Sequence, residues 1–543
     1  MAMMSKTRNV LEGLVKDGAF KWALSRRSSF DEEFEEMGRS PSGKRKWIPE
    51  LSPMANVIVG RCSRTLEVSM DELQHNFDKE ASEYIKHPSN YARNFLEYCC
   101  FRALALSTQV TDHLADKNLR RLTFDMMLAW ETPAAASQPL VKVDKESTVG
   151  VEAFSRIAPA IPTIADVVTC FNLFDVLTTS TAGQLSFAIY DKYLGALDRA
   201  TKKMKTQSES SLLLGLRSHK GERILDVDGT LTTQPVLEHV GISTWPDSVN
   251  AGRLTLTDHA LYFEPLRVVT YDKAKVYDLA DDLKQIIKPE LTGPWGSRLF
   301  DKAVMYKSIS FSLFFIWILG GKLKDSGRSE PVIVEFPELT GHSRRDYWLA
   351  IMQEILYAHR FIRKFQTKGV EKEETLSKAV LGILRLQAIQ DLVPSIPLQC
   401  EALLMFNLCD QLPGGDLILE TLADLVSSRR LDQVNKSSSG SEMYSISALA
   451  VLSNLGVESQ DANDERLLVG ELVVGQMSSL EKAVSESRDN YKMVELAKAT
   501  VDGVKVDGID TNLALMKVFN MHVIYFVLYI LLVTLLLQLI IVR

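Results

Sequence analysis

The sequence predicts an α+β protein in which helical regions flank a small β-barrel with a closing helix, followed by one C-terminal transmembrane helix. Three observations lead to this prediction. Residues 64–205 carry apolar side chains mostly at helical spacing, residues 223–336 carry a succession of short strand patterns, and residues 518–542 contain no Asp, Glu, Lys or Arg. Apolar periodicity separates helices from strands, and an uncharged run of that length is typical of a bilayer-spanning helix.

The overall composition limits the class of protein. A length of 543 residues allows about two to four domains, and the 46% hydrophobic and 24% charged content is ordinary for a globular chain. The formal net charge of -7 argues against general nucleic-acid binding, which usually requires a basic domain. The six cysteines form no CxxC pair and the nine histidines show no metal-ligand spacing. We therefore expect a reducing compartment, no metal and no cofactor.

The chain divides into five predicted segments: an N-terminal disordered or amphipathic segment, a helical domain, a barrel domain, a second helical region and the membrane helix. Their bounds are 1–50, 51–205, 215–366, 370–515 and 518–542. Residues 8–24 are compatible with an amphipathic helix on an anionic membrane, with an organelle transit segment (a chloroplast destination included), or with a short helix docked on the body. The sequence leaves these three interpretations open.

The C-terminal run from Val518 to Val542 is expected to cross a bilayer. A helix satisfies its own backbone hydrogen bonds in lipid, and roughly 20 apolar residues span the hydrocarbon core. Lys517 precedes the run and Arg543 ends the sequence. Because nearly all of the chain precedes this helix, we expect a single-pass membrane protein with its bulk in the cytosol, similar to a tail-anchored protein.

The middle of the chain is predicted to form an antiparallel sheet or barrel. Its strand patterns are separated only by turn residues such as those at 257–259, and strands without intervening helices usually pair antiparallel. One amphipathic helix, 344–365, follows them, and this order is the pattern of a pleckstrin-homology-like fold. Five apolar side chains are expected on the buried side of that helix: Trp348, Ile351, Ile355, Ala358 and Ile362.

One segment, Asp226-Val-Asp-Gly-Thr230, looks like a catalytic signature. It resembles the first motif of the haloacid-dehalogenase-like phosphatases. On that resemblance Asp226 would be the nucleophile that forms an aspartyl-phosphate, and Asp228 would be the general acid and base. A bound Mg²⁺ would neutralise the phosphoryl charge. The protein would then be an Mg²⁺-dependent phosphatase.

Three features of the sequence favour a hairpin over this phosphatase. The strand before Asp226 contributes only Ile224 and Leu225, although a buried parallel strand requires a longer apolar run. The segment 253–279 has a strand–turn–strand pattern, which leaves little room for the crossover helices that join parallel strands. Asp228-Gly229 is a common hairpin turn. We therefore predict a non-enzymatic protein and keep the phosphatase as the alternative.

Longer strings resemble known families. The string Gly252–Glu264 resembles the GRAM branch of pleckstrin-homology-like domains, in which a Gly-x-Leu-x-x-Thr strand leads into a strand ending in an aromatic residue. Over residues 50–517 the chain resembles the plant family called domain of unknown function 639, on four strings: Val240–Trp245, Pro289–Gly296, Glu335–Trp348 and Tyr357–Ile362. This resemblance implies a membrane-associated plant protein with a GRAM-like module, and it implies little about mechanism.

The chain departs from that family in two places. The uncharged stretch that begins at Ser308 leads into Phe311–Gly327, which is expected to be additional sequence relative to the family. The resemblance is expected to end after Lys517, where family members continue into a longer part with several apolar segments. Both departures are those expected of a shortened or misspliced gene product.

The predicted function is that of a membrane adaptor which binds a phosphoinositide headgroup or a protein partner. Headgroup binding requires clustered cations that form charge-assisted hydrogen bonds with phosphate. Five cations lie near predicted strand ends: Lys220, Arg223, Arg253, Lys273 and Lys275. The alternatives are that these are solvated surface charges, or that the chain is a scaffold whose barrel binds nothing. Arg344 and Arg345 are instead expected to start the closing helix and to pair with Asp346 or Glu338.

Overall fold

The computed structural model describes residues 47–135, 147–209, 222–230, 233–239, 249–266, 274–281, 284–293, 299–309, 331–338, 341–394, 398–427, 443–456 and 468–503. The chain divides into two compact units, Met1–Ser485 and Glu486–Arg543. The elements below belong to the first unit, except for the last helix, which belongs to the second unit from Glu486 onward.

The first part of the chain is helical. Ser52 caps the first helix by accepting a hydrogen bond from the Ala55 N–H, and Pro53 occupies the first helical position, where its missing N–H costs nothing. Ser69 caps the second helix in the same way. The helices are α1 Pro53–Leu66, α2 Met70–Glu80, α3 Tyr91–Ser107, α4 Lys117–Glu131, α5 Val151–Ile157, α6 Cys170–Leu177 and α7 Phe187–Glu209. Two short strands, β1 Thr148–Val149 and β2 Leu185–Ser186, pair within this layer.

The middle of the chain forms an eight-stranded antiparallel sheet. Its strands are β3 Ile224–Asp228, β4 Val236–His239, β5 Val249–Thr257, β6 Ala260–Pro265, β7 Lys275–Asp278, β8 Lys284–Thr292, β9 Phe300–Ile309 and β10 Val332–Glu335. Their order is β7-β6-β5-β4-β10-β9-β8, and β3 also pairs with β5. Strand β5 is long enough to pair with β4 through its first half and with β3 through its second half. The prediction of an antiparallel sheet is therefore confirmed.

The sheet does not close into a barrel, so this part of the predicted fold is wrong. The path of paired strands begins at β7 and ends at β8, and these two strands are not paired with each other. Side chains of the following helix occupy the outer edge of β8 instead. Gln353 donates a hydrogen bond to the carbonyl of Ile287 at 3.1 Å, and Arg360 donates one to that of Gln285 at 2.6 Å. An edge whose carbonyls are covered in this way needs no partner strand.

The helix after the sheet, α8, spans Ser343–Phe365, close to its predicted bounds. All five predicted core side chains of α8 are buried, because their spacing places them on one face. Trp348 stacks on Phe336 with ring centroids 5.7 Å apart. The core is continuous from the first helical layer through α8 to the inner side of the sheet.

The rest of the described chain consists of helices and one two-stranded sheet. The elements are α9 Val370–Leu392, α10 Met405–Gln411, α11 Gly415–Ser427, β11 Met443–Ile446, α12 Ala448–Asn454, β12 Leu468–Val473 and α13 Ser479–Gly503. Helix α9 is buried on nearly every side and packs against α7 and α8. Strands β11 and β12 pair antiparallel with each other, so the region predicted as helical between 370 and 515 also contains a two-stranded sheet.

Among the helices of the described ranges, none combines the length and the apolar character that a bilayer crossing requires. The prediction of a single-pass membrane protein with a cytosolic bulk is corrected accordingly. The run on which that prediction depended, 518–542, lies outside the described residues, as do 8–24 and Phe311–Gly327.

Candidate functional site at the junction of β3 and α8

The two aspartates of the phosphatase-like motif lie on β3, which runs antiparallel to β5. Asp226 is opposite Leu256 and Asp228 is opposite Leu254, with a register shift between Ile224 and Asp226. Both carboxylates are buried. A haloacid-dehalogenase-like nucleophile would instead lie on a strand of a parallel sheet, so the antiparallel pairing expected around Asp226 is confirmed. The hairpin expected at Asp228-Gly229 is wrong, because β3 and the following strand β4 both pair with β5 and not with each other.

Gly229 ends strand β3 immediately after Asp228. Its φ of +73° is a conformation that side chains disfavour, and a Cβ at this position would lie 2.4 Å from the carbonyl oxygen of Gly252. Only glycine combines this backbone angle with such a close approach of β5. The Asp-Gly signal therefore marks a sharp turn, as the sequence predicts, although the next strand, β4, pairs with β5 rather than with β3.

Asp228 accepts four hydrogen bonds. Arg344 donates two of them, Nε to Oδ2 and Nη2 to Oδ1, each at 2.7 Å. Trp348 donates its indole N–H to Oδ2 at 2.9 Å, and the N–H of Gly229 bonds Oδ1 at 2.8 Å. A bidentate guanidinium–carboxylate pair is among the strongest polar contacts in proteins. The carboxylate of Asp228 is therefore fully engaged in attaching β3 to the first turns of α8.

Asp226 is engaged by a second set of donors. The hydroxyl of Tyr347 donates to Oδ2 at 2.6 Å, and the ammonium group of Lys203 lies 3.1 Å from Oδ1. Burial, together with the negative charge of Asp226, raises the pKa of Tyr347 well above its usual value, so the phenol remains a donor. Gln387 on α9 donates to the Tyr347 oxygen at 3.0 Å. Strand β3 is thus attached to α7, α8 and α9 around one carboxylate.

This arrangement joins structural elements, because the side-chain donors to Asp226 and Asp228 come from α7 and α8. A phosphatase nucleophile has to face both the substrate and Mg²⁺. In this structure the oxygens of both carboxylates face donors of the protein itself. Within the described ranges, no three His, Cys, Asp or Glu side chains are grouped so as to hold a metal ion.

Arg223, one of the proposed headgroup cations, is buried beneath the sheet. Its Nε donates to Asp258 at 2.7 Å, and its other nitrogens lie 3.2 Å from the Ser377 hydroxyl and 3.4 Å from Glu373. The last two residues belong to α9. Arg223 is only 2% exposed, so the side chain joins the sheet to α9 and does not face solvent.

Arg253 and Lys275 are paired with separate carboxylates. Arg253 contacts Glu264 on the neighbouring strand at 2.6 Å, and Lys275 contacts the buried Glu238 at 2.6 Å. The other two candidates, Lys220 and Lys273, lie outside the described residues. The three described cations therefore do not converge on a common site, since each has its own acidic partner.

A cluster around Asp258 was not predicted as a site. Burial alone would raise the pKa of Asp258, but Arg223 and His259 outweigh this effect and hold it well below its usual value. His359 on α8 contacts the Asp258 backbone oxygen at 2.8 Å, and burial lowers the pKa of His359 to about 4. The sequence shows this segment only as the turn 257–259, because its buried partners come from distant parts of the chain.

A second buried cluster surrounds Arg156 on α5. Its guanidinium group donates to both oxygens of Glu97 at 2.9 and 2.8 Å and to both oxygens of Glu481 at 2.9 and 3.1 Å. The Trp130 indole and the Gly475 N–H also bond Glu97, at 2.8 and 2.9 Å. Glu481 lies in the first turn of α13, so the cluster anchors the start of that helix.

Comparison with known proteins bears on this last helix. Residues 477–531 match the family model described as a plant protein of unknown function (DUF639). No curated protein matches the chain. The resemblance to this plant family is therefore confirmed for this stretch, which begins two residues before α13 and runs past the predicted end of the resemblance at Lys517.

The more specific resemblance, that of the middle of the chain to a GRAM domain, is not supported. The matched stretch lies outside 215–366, and the sheet there is open, so the GRAM or pleckstrin-homology-like assignment is not sustained. Packing explains the glycine of the supposed GRAM string. A Cβ on Gly252 would lie 2.3 Å from the ring of Phe263 on β6, so glycine is required by the close approach of an aromatic side chain.

The start of the matched stretch has a recognisable local signal. Ser478 and Glu481 form a reciprocal capping box: the Ser478 N–H donates to the Glu481 carboxylate at 2.7 Å, and the Glu481 N–H donates to the Ser478 hydroxyl at 3.1 Å. The Ser-x-x-Glu spacing could have been read from the sequence. The pairing of Glu481 with Arg156 could not, because the two residues are far apart along the chain.

Proposed function

We propose that this protein is a non-enzymatic adaptor that binds a protein partner. The observation that carries the proposal is the engagement of Asp226 and Asp228 by donors of the surrounding helices. With those carboxylates holding the fold together, the phosphatase alternative lacks its nucleophile and its general acid. A binding role requires no such free groups and is consistent with the arrangement described above.

A protein partner is favoured over a phosphoinositide, because the candidate headgroup cations are already paired with carboxylates. A headgroup site needs several cations directed at one phosphate. Arg223, Arg253 and Lys275 are each within 2.7 Å of a carboxylate, and breaking those pairs to receive a phosphate would cost part of the binding energy.

An apolar surface at the end of the β8–β9 hairpin supports binding to a protein. Leu291, Leu299 and Phe300 are exposed there, at 43%, 70% and 45% of their surface. Thr292 pairs with Phe300 in the last step of the ladder, so the backbones of all three residues lie at the hairpin end. Exposed apolar side chains that include an aromatic ring are typical of interaction surfaces.

The first test is hydrolysis of an aryl phosphate by the purified full chain with Mg²⁺. We expect no turnover above buffer, and the Asp226→Asn variant should behave identically. Mg²⁺-dependent turnover that disappears in Asp226→Asn would refute the non-enzymatic assignment.

The second test compares two surface variants of the full chain in affinity purification from plant extract. Leu299→Glu should lose at least one protein that the wild type retains, whereas Leu417→Glu, the same substitution at an exposed leucine on α11, should retain it. Flotation with phosphatidylcholine vesicles should not increase when a phosphoinositide is added. Identical protein sets for both variants, or phosphoinositide-dependent flotation, would contradict the proposal.

A further inference from the structure

The C-terminal part of α13 presents apolar side chains to solvent. Every residue from 489 to 498, in the second compact unit, is exposed. Four of them are large and apolar: Tyr491, Met493, Val494 and Leu496. A helix exposed on all sides gains little from burial, and apolar side chains on such a helix indicate a surface that is covered in an assembly.

Two of these side chains continue a heptad pattern that begins in the first unit. Residues separated alternately by four and three positions form a single seam along a helix. On α13 this seam consists of Leu480, Val484, Ser487, Tyr491, Val494 and Lys498. Leu480 and Val484 are buried in the first unit, while Tyr491 and Val494 remain 45% and 41% exposed. Met493 and Leu496 lie off the seam.

We propose that two copies of this chain associate through an antiparallel pairing of α13, with Tyr491 of one copy opposite Val494 of the other. In an antiparallel pair, the position that follows Ser487 or Val494 on one helix lies beside the equivalent heptad position of the other helix. When Tyr491 is opposite Val494, this geometry brings Arg488 of each copy beside Glu495 of the other. Glu495 contacts Lys498 of its own helix at 2.9 Å, but both side chains are exposed and such surface pairs are weak enough to exchange partners. The two-fold symmetry produces this pair of opposite charges twice, so the helix is complementary to itself.

A parallel pairing lacks this complementarity. Identical seam residues would face each other, and Lys498 would meet Lys498 of the second copy, which is unfavourable because the charges are alike. Arg488 would lie beside Ala483, which carries no charge, so no ion pair would replace the lost one. The charge pattern of the helix therefore selects the antiparallel arrangement.

The exposed seam is short, and this determines the expected affinity. Two apolar positions per helix bury less surface than the roughly 1,200 Å² that marks the lower end of stable specific interfaces. We therefore expect a reversible dimer with a dissociation constant in the micromolar range. The second copy forms its contacts within the stretch that matches the plant family, 477–531.

Sedimentation equilibrium of the full chain over a range of concentrations tests the seam. The wild type should show a concentration-dependent dimer. Val494→Asp should raise the dissociation constant at least about tenfold, because it places a charge in the apolar contact. Met493→Asp adds the same charge one residue away, off the seam, and should leave the constant unchanged. A monomeric wild type at all concentrations, or equal effects of the two variants, would overturn the proposal.

A charge exchange tests the direction of pairing. Arg488→Glu and Glu495→Arg should each weaken the dimer several-fold, since each creates like-charge contacts at both symmetric positions. The double variant restores opposite charges and should return the dissociation constant to within about twofold of the wild type. A double variant as weak as the two single variants combined would rule out the antiparallel arrangement.

Discussion

At the scale of single residues, the buried charges decide what the conspicuous motif does. A charge taken out of water is tolerated when a partner of opposite charge and several hydrogen bonds replace the solvent. Asp228 satisfies that condition through Arg344, whose guanidinium group was expected to pair with Asp346 or Glu338. The backbone N–H of Arg344 does approach Glu338 at 3.3 Å, but its side chain extends to β3 instead.

Replacing Asp228 should therefore cost stability rather than activity. Asp228→Asn leaves the Arg344 guanidinium without its counter-charge, and we expect a loss of about 3 kcal/mol in the free energy of unfolding. Urea denaturation of the full chain, followed by Trp fluorescence, measures this loss. Asp416→Asn removes a carboxylate from an exposed pair with Lys364 and should change the stability by less than about 0.5 kcal/mol. Equal losses in both variants would contradict the structural role of Asp228.

At the scale of elements, the residue at which a helix begins depends on neighbouring residues. The packing of that helix on the rest of the fold depends on residues that are distant in the sequence. Helix α8 has the length and the buried face that its periodicity predicts, yet Gln353 and Arg360 on that helix also cover the edge of β8. Helix α13 begins at a capping box that is local in sequence. Its anchoring through Glu481 requires Arg156 on α5, a residue that no periodicity connects with it.

Removing the cap of α13 should weaken the start of that helix. Ser478→Ala abolishes the hydroxyl that accepts the Glu481 N–H, and we expect a loss of about 1 kcal/mol, as is usual for a lost N-cap. Hydrogen exchange should be faster at the amides of 480–484. Ser479→Ala changes the neighbouring exposed serine, and its exchange should match that of the wild type. Unaltered exchange in Ser478→Ala would show that the cap does not stabilise the helix.

At the scale of the whole molecule, side chains from distant segments meet in buried clusters that join its layers. Arg223 connects β3 with Asp258 in the turn after β5 and with α9. His359 adds α8 to the same cluster, at a ring-centroid distance of 5.5 Å from His259. A cluster that joins several layers makes the stability of the entire first unit sensitive to its protonation state.

That sensitivity should appear as a loss of stability in acid. His359 has a pKa of about 4 when folded because it is buried, compared with 6.5 when unfolded. At a pH between about 4 and 6.5, His359 is therefore mostly protonated in the unfolded chain and mostly neutral in the folded chain. The contribution of His359, on the order of 3 kcal/mol, is therefore present above pH 6.5 and is lost as the pH falls toward 4.

The contribution of His359 to stability can be measured by comparing the wild type with a His359 variant. The gap in unfolding midpoint between wild type and His359→Gln should be larger at pH 7 than at pH 4.5, whereas His75→Gln, at an exposed site on α2, should parallel the wild type throughout. A gap that is constant with pH would show that His359 does not titrate as argued.

Sequence alone determined the elements whose signals are local. The buried face of α8, the antiparallel pairing of the middle strands and the turn at Asp228-Gly229 follow from spacing and turn chemistry, which act over a few residues. The tertiary structure decided whether the sheet closes and which partner each charge takes. The partners of Asp226, Asp228 and Arg223 come from α7, α8 and α9, since burial pairs charges by distance in space and not by distance along the chain.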